Sequence, residues 1–118
     1  MIQLRSILTP ADNTGAKRLR VIHTKRKFAK IGDVVTCVVD RADPNGLVSD
    51  SQIVKAVLVR TKKEFRRADG SYIRFDDNAA VLINKDGSPL GSRVFGPIAR
   101  EIKERGFSKI ASLAKELV

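Results

Sequence analysis

The chain has 118 residues, with 23 Lys and Arg against 13 Asp and Glu, giving a formal net charge of +10. That length holds one domain with a substantial core and no second one, and 42% hydrophobic content without low-complexity tracts excludes a disordered chain. No apolar stretch approaches the ~18 residues of a membrane span and the start MIQLRSIL has no long apolar core, so neither membrane insertion nor secretion is expected.

Taken in order, residues 6–10 read as a short first strand, and ADNTG at 11–15 has the composition of a turn. AKRLRVIHT at 16–24 alternates so that Leu19 and Val21 point inward while Arg18 and Arg20 point outward. The basic run at 25–30, containing Lys25, Arg26, Lys27, Phe28 and Lys30, makes a hairpin tip closed by Gly32 and Asp33. The return strand at 34–39 is apolar on both faces, and within it Cys37, the only cysteine, is expected as small core filler.

DPNG at 43–46 marks the next turn. In IVKAVLVRTKK at 53–63 both strand faces are mainly apolar, so the strand should be covered on both sides. From Arg60 the chain becomes a basic loop, turns tightly at Asp69-Gly70, runs through 72–75 and reaches another covered strand, AAVLI at 79–83. Short, regularly spaced strands with no helix between them favour an antiparallel barrel over a parallel sheet.

The period then changes. Gly96-Pro97 opens a helix in which Ile98 and Ile102 fall four apart, and Gly106 stops it. Ser108 caps a second helix with an apolar stripe of Ile110, Leu113, Ala114 and Leu117. Helices this short are marginal alone, so they should dock on the outer face of the doubly apolar strands.

Residues 17–30 hold seven cations and no acid, and residues 55–74 hold seven more against Glu64 and Asp69. Such concentration points to an anionic partner, nucleic acid before membrane, with a merely soluble basic surface as the bland alternative. Catalysis finds little support. His23 is the only histidine and is flanked by cations, and Asp76 and Asp77, adjacent on an extended chain, point to opposite faces. No P-loop, paired CxxC or GxSxG occurs.

Aromatics make up only 5% of the chain, so contact with RNA phosphates is expected rather than base stacking; Phe65 and Tyr72 are the candidates for exposure, with packing inside the hairpin as their alternative role. Arg66 and Arg67 suit bidentate phosphate contacts. Arg20, outward beside Arg18, and Arg74, at the end of the second basic segment, belong to the same candidate set.

Several blocks together, ADNTGA at 11–16, VKAVLVRTKK at 54–63, RADGSYIRFDDNAAVLIN at 67–84, GSRVFGPIAREI at 91–102 and the ending FSKIASLAKELV, closely resemble the universal large-subunit ribosomal protein number fourteen family. The resemblance covers essentially the whole chain. It implies a mainly β fold: a small closed five-stranded antiparallel barrel (about 1–90) with a projecting basic hairpin, followed by a loop and two short helices (about 91–118) in a single domain. It also implies no catalytic activity and no cofactor. The implied partners are large-subunit ribosomal RNA, neighbouring large-subunit proteins, small-subunit RNA at an intersubunit bridge, and the ribosomal silencing factor. The implied place is the ribosome, and the compact chain with no presequence favours a bacterial cytoplasm over an organelle.

By motif position, RNA contact carries over to Lys17, Arg18, Arg60, Lys62, Lys63, Arg66 and Arg67, and to Lys25, Arg26, Lys27 and Lys30 in a hairpin tip shorter than that of many members. The partner surface maps to Ser92, Arg93, Phe95 and Lys109. Lys115 stands where many members carry proline, so a longer last helix is expected. A free-standing RNA-binding regulator and a metal nuclease built on Asp76 or Asp77 are the competing classes.

Overall fold

The computed structural model describes residues 2–118. Strands β1 (Ile7–Pro10), β2 (Ala16–His23), β3 (Val34–Ala42), β4 (Ile53–Arg60) and β7 (Ala79–Ile83) close a barrel in the order β1-β2-β3-β4-β7. Between β4 and β7 the chain makes a separate two-stranded hairpin, β5 (Phe65–Arg66) with β6 (Tyr72–Ile73).

Four seams of the barrel are antiparallel, as expected; the closing seam, Thr9 beside Ala79 and Pro10 beside Ala80, is parallel. Strand count explains this. Five strands cannot alternate direction around a closed ring, so one neighbouring pair must run the same way. The same alternation decides where the loops go. The connections 24–33 and 61–78 leave one end of the barrel, and the connections 11–15 and 43–52 leave the other.

Leu8, Leu19, Val21, Val35, Cys37, Val39, Leu58 and Leu82 fill the interior, each 2% exposed or less. Burial pushes the Cys37 thiol up to about 12, which leaves it an inert apolar filler. A second core lies outside the barrel, where Val57, Val59, Ala79 and Val81 meet Ile98, Ile102 and Ile110. The two apolar faces of β4 are thus separately covered in its second half. Ile53, at 66% exposure, and Lys55 show that the cover does not reach its start.

The C-terminal elements are shorter than their sequence suggests. Helix α1 spans Glu101–Glu104, starting four residues after Pro97 rather than at it. The reason is competition for backbone groups. Ile98 N–H donates to Glu116 O, Arg100 N–H to Val118 O and Val118 N–H to Ile98 O, a short ladder that ties Ile98 to the C-terminal segment and delays the helix to Glu101. Helix α2 spans Ser108–Leu113, with Phe107 at the cap position and no side-chain cap. Ala114 is extended, so Lys115 does not lengthen the helix, and Leu117 leaves the expected stripe to pair with Ile98.

Candidate nucleic-acid interface

Lys25, Arg26, Lys27 and Lys30 are all exposed at the tip between β2 and β3. The tip is tied back by Ala29, whose N–H and C=O both bond Ile2, and at its base by Asp33, whose carboxylate accepts the Lys30 N–H at 3.0 Å. Phe28 is 42% exposed, with the Lys27 ammonium 5.7 Å from its ring centre. Lys62, Lys63, Arg66 and Arg74 are exposed on the second excursion, beside Tyr72 at 67% exposure. Two groups of cations separated in sequence therefore leave the same barrel end.

Their charge is largely free. Glu64 sits 3.1 Å from Lys63, and its carboxyl is held below the usual range by its own backbone N–H and then by Lys63, but both side chains are about half exposed and such pairs bind weakly.

Arg60 and Arg67, read from sequence as phosphate contacts, are instead committed inside the protein. Arg60 is 8% exposed. Its Nε and Nη2 fork onto Asp77 at 2.9 and 3.3 Å, and Nη1 donates to Phe95 O at 2.8 Å and Pro97 O at 3.0 Å. The guanidinium lies so close to Gly96 that a Cβ there would stand 2.7 Å from Nη1, at a φ of +76° that itself favours glycine. Arg67 has its Nε 3.1 Å from Glu101, an ion pair without an aligned hydrogen bond, and donates from Nη2 to Val118 O. A run of cations looks uniform in sequence, yet here two of its members hold the C-terminal segment in place.

Arg18 and Arg20 lie exposed on the outer face of β2 and share Asp40, at 3.0 and 3.9 Å. Lys17, also exposed, stands at the far end of that strand, roughly 20 Å from the hairpin tip at ordinary strand rise. These three form a stripe along the barrel side and are not part of the hairpin cluster. His23 is exposed at the foot of the stripe.

At the opposite end the ADNTG turn does more than reverse the chain. Asp12 is buried; one carboxylate oxygen accepts from the Thr14 hydroxyl at 2.8 Å and the other from Leu82 N–H at 2.9 Å. Desolvation outweighs these bonds and raises its pKa. The native state therefore binds this proton more readily than the unfolded chain, so the contribution of Asp12 favours folding increasingly as pH falls through its raised pKa, the reverse of an ion-paired carboxylate. Gly15 takes φ +95°, and its Cβ would meet the Gly46 Cα at 2.7 Å, so the two turns at this end interlock only through glycines.

Asn13 Oδ1 accepts the N–H groups of Ser92 and Arg93 at 2.9 and 3.1 Å, and its Nδ2 donates to the Ser92 hydroxyl at 2.9 Å. Ser92, Arg93 and Phe95, the last 49% exposed, thus sit on one outward strip pinned by Asn13 above and Arg60 below. Lys109 is exposed on α2 and lies near Asp86, whose carboxyl it helps hold low after the larger effect of Ser88. We expect Asn13→Ala to cost about 1–2 kcal/mol, measured by chemical denaturation, because it leaves two N–H groups unpaired. Hydrogen exchange at Ser92 and Arg93 should accelerate in the same variant.

Asp12, Asn13 and the Arg60–Asp77 fork escaped the sequence reading. The only available signal was that Asp and Asn in a turn can bond backbone, without any indication of a partner some 70–80 residues away. Asp77 is engaged by Arg60, and among the described residues no three His, Cys, Asp or Glu side chains gather as a metal site. No helix among them is long and apolar enough to cross a membrane.

A five-stranded barrel that sends two cationic loops from one end and pins an apolar-cationic strip beside the other defines a small basic β-barrel protein. Residues 1–118 match the family described as ribosomal protein L14p/L23e, and the chain belongs to that family. It is 59% identical over 121 residues to the large ribosomal subunit protein uL14 of Petrotoga mobilis, covering 99% of each chain. It is 56% identical over 121 residues to the protein of the same name from Aquifex aeolicus, covering all of both.

Proposed function

We propose that this protein is a structural constituent of the large ribosomal subunit that lays its hairpin end against large-subunit ribosomal RNA. The observation that carries this reading is the shared exit of the two basic excursions: Lys25, Arg26, Lys27 and Lys30 on one, Lys62, Lys63, Arg66 and Arg74 on the other. Phosphate contacts made there release counterions and fix orientation without reading base sequence. Lys17, Arg18 and Arg20 extend the contact along β2. Arg60 and Arg67 serve it indirectly, by fixing the stem of the second hairpin.

The strip of Ser92, Arg93 and Phe95, with Lys109 on α2, is the surface for protein and intersubunit contacts. A half-exposed aromatic flanked by arginine on a hydrogen-bonded, preorganised segment has the composition of an interface anchor. Neighbouring large-subunit proteins, small-subunit RNA at an intersubunit bridge and the ribosomal silencing factor are the partners in this reading, in the bacterial cytoplasm.

Arg93→Ala tests both halves. The variant should travel with large subunits through a salt wash that strips loosely held factors, because Arg93 lies away from the hairpin end. Subunit joining or silencing-factor docking should weaken. Loss of the variant from washed subunits would place Arg93 on the RNA face and refute the assignment.

A further inference from the structure

Two clefts near the ends of helix α1 differ sharply in charge. In the first, between the first hairpin and the turn after α1, Lys25, Arg26 and Arg105 line a cleft whose only carboxylate is Asp33. In the second, Arg66, Arg67 and Arg100 are matched by Asp69, Glu101 and Glu104. The first cleft has three cations against one acid and the second has none to spare.

Arg105 is set in place for the first cleft. Its stem crosses Gly32 so closely that a Cβ there would stand 2.9 Å from Cγ, and Nη2 donates to Asp33 Oδ1 at 2.9 Å. The side chain is nevertheless 44% exposed, and a guanidinium has five N–H donors, so donors remain for a second anion beside Asp33. Asp33 is already shared between Arg105 and the Lys30 N–H, which spends its charge locally.

We propose that this cleft seats a backbone phosphate of the bound RNA, held by Arg105 together with Lys25 and Arg26, and that the turn after α1 thereby belongs to the RNA surface. The inference rests on the RNA reading above and adds to it a residue outside both hairpins. The balanced second cleft holds no phosphate.

The test uses the full chain and protein-free large-subunit ribosomal RNA, with affinity measured across a salt series. Arg105→Gln should lower the log-log salt slope by about 0.7–0.9, the value of one phosphate contact. Arg105→Lys should restore that slope even if the bond to Asp33 is lost, which separates charge from folding. Lys103→Gln, an exposed cation on α1 that lines neither cleft, should leave it unchanged. A slope unmoved by Arg105→Gln, or lowered equally by Lys103→Gln, overturns the site. A Lys62→Gln/Lys63→Gln variant distinguishes the two levels: if it flattens the slope while Arg105→Gln does not, the cleft alone is refuted. If neither does, the RNA reading falls with it.

Discussion

Replacing Arg60 by methionine is expected to lower the melting temperature by about 10 °C while leaving the salt dependence of RNA binding unchanged. The substitution keeps an apolar stem but removes the donors that serve Asp77, Phe95 O and Pro97 O. Removing one partner of a buried ion pair typically costs about 3–5 kcal/mol, and carbonyls left without a donor add to it. Asp77 is 37% exposed and can be rehydrated, which brings the expectation to about 2–3 kcal/mol. At roughly 4 °C per kcal/mol for a domain of this size, that gives the stated shift, measurable by circular dichroism. A slope that flattens by about one unit with no change in melting temperature would return Arg60 to the RNA surface.

The largest effect on binding should come from the first hairpin tip. Changing Lys25, Arg26, Lys27 and Lys30 together to glutamine removes four exposed cations and should lower the log-log salt slope by roughly three units. Stability should hardly move, since none of the four makes an ion pair with a protein carboxylate among the described residues. Lys85→Gln, on the loop that follows β7, serves as the matched control and should leave the slope intact. A quadruple variant with the wild-type slope would exclude the tip from the interface.

How much of this was legible follows from the range of each interaction. The barrel strands were readable because alternation is local: Leu19 and Val21 against Arg18 and Arg20 already separates inside from outside. The double cover of β4 was readable for the same reason, as both of its faces lack polar residues from Ala56 to Val59. Which cations face solvent was not readable. Arg66 and Arg67 are adjacent and chemically identical, and only the packing of 101 and 118 against one of them tells them apart.

Helix boundaries failed for a similar reason. Gly96-Pro97 is a good local start signal, but the Ile98 carbonyl, which a helix starting there would need as an acceptor, takes the Val118 N–H instead. In ADNTG the turn was evident from composition, whereas its second task, holding Leu82 and the strip at 92–93, depends on chain segments far away in sequence.

Lysine acylation read by mass spectrometry measures in one experiment which end of the barrel faces RNA. Lys25, Lys27, Lys30, Lys62 and Lys63 should react in the free protein and be protected in isolated large subunits, while Lys85 reacts in both. Protection of Lys85 with undiminished reaction at the five hairpin lysines would contradict the orientation and the interface built on it.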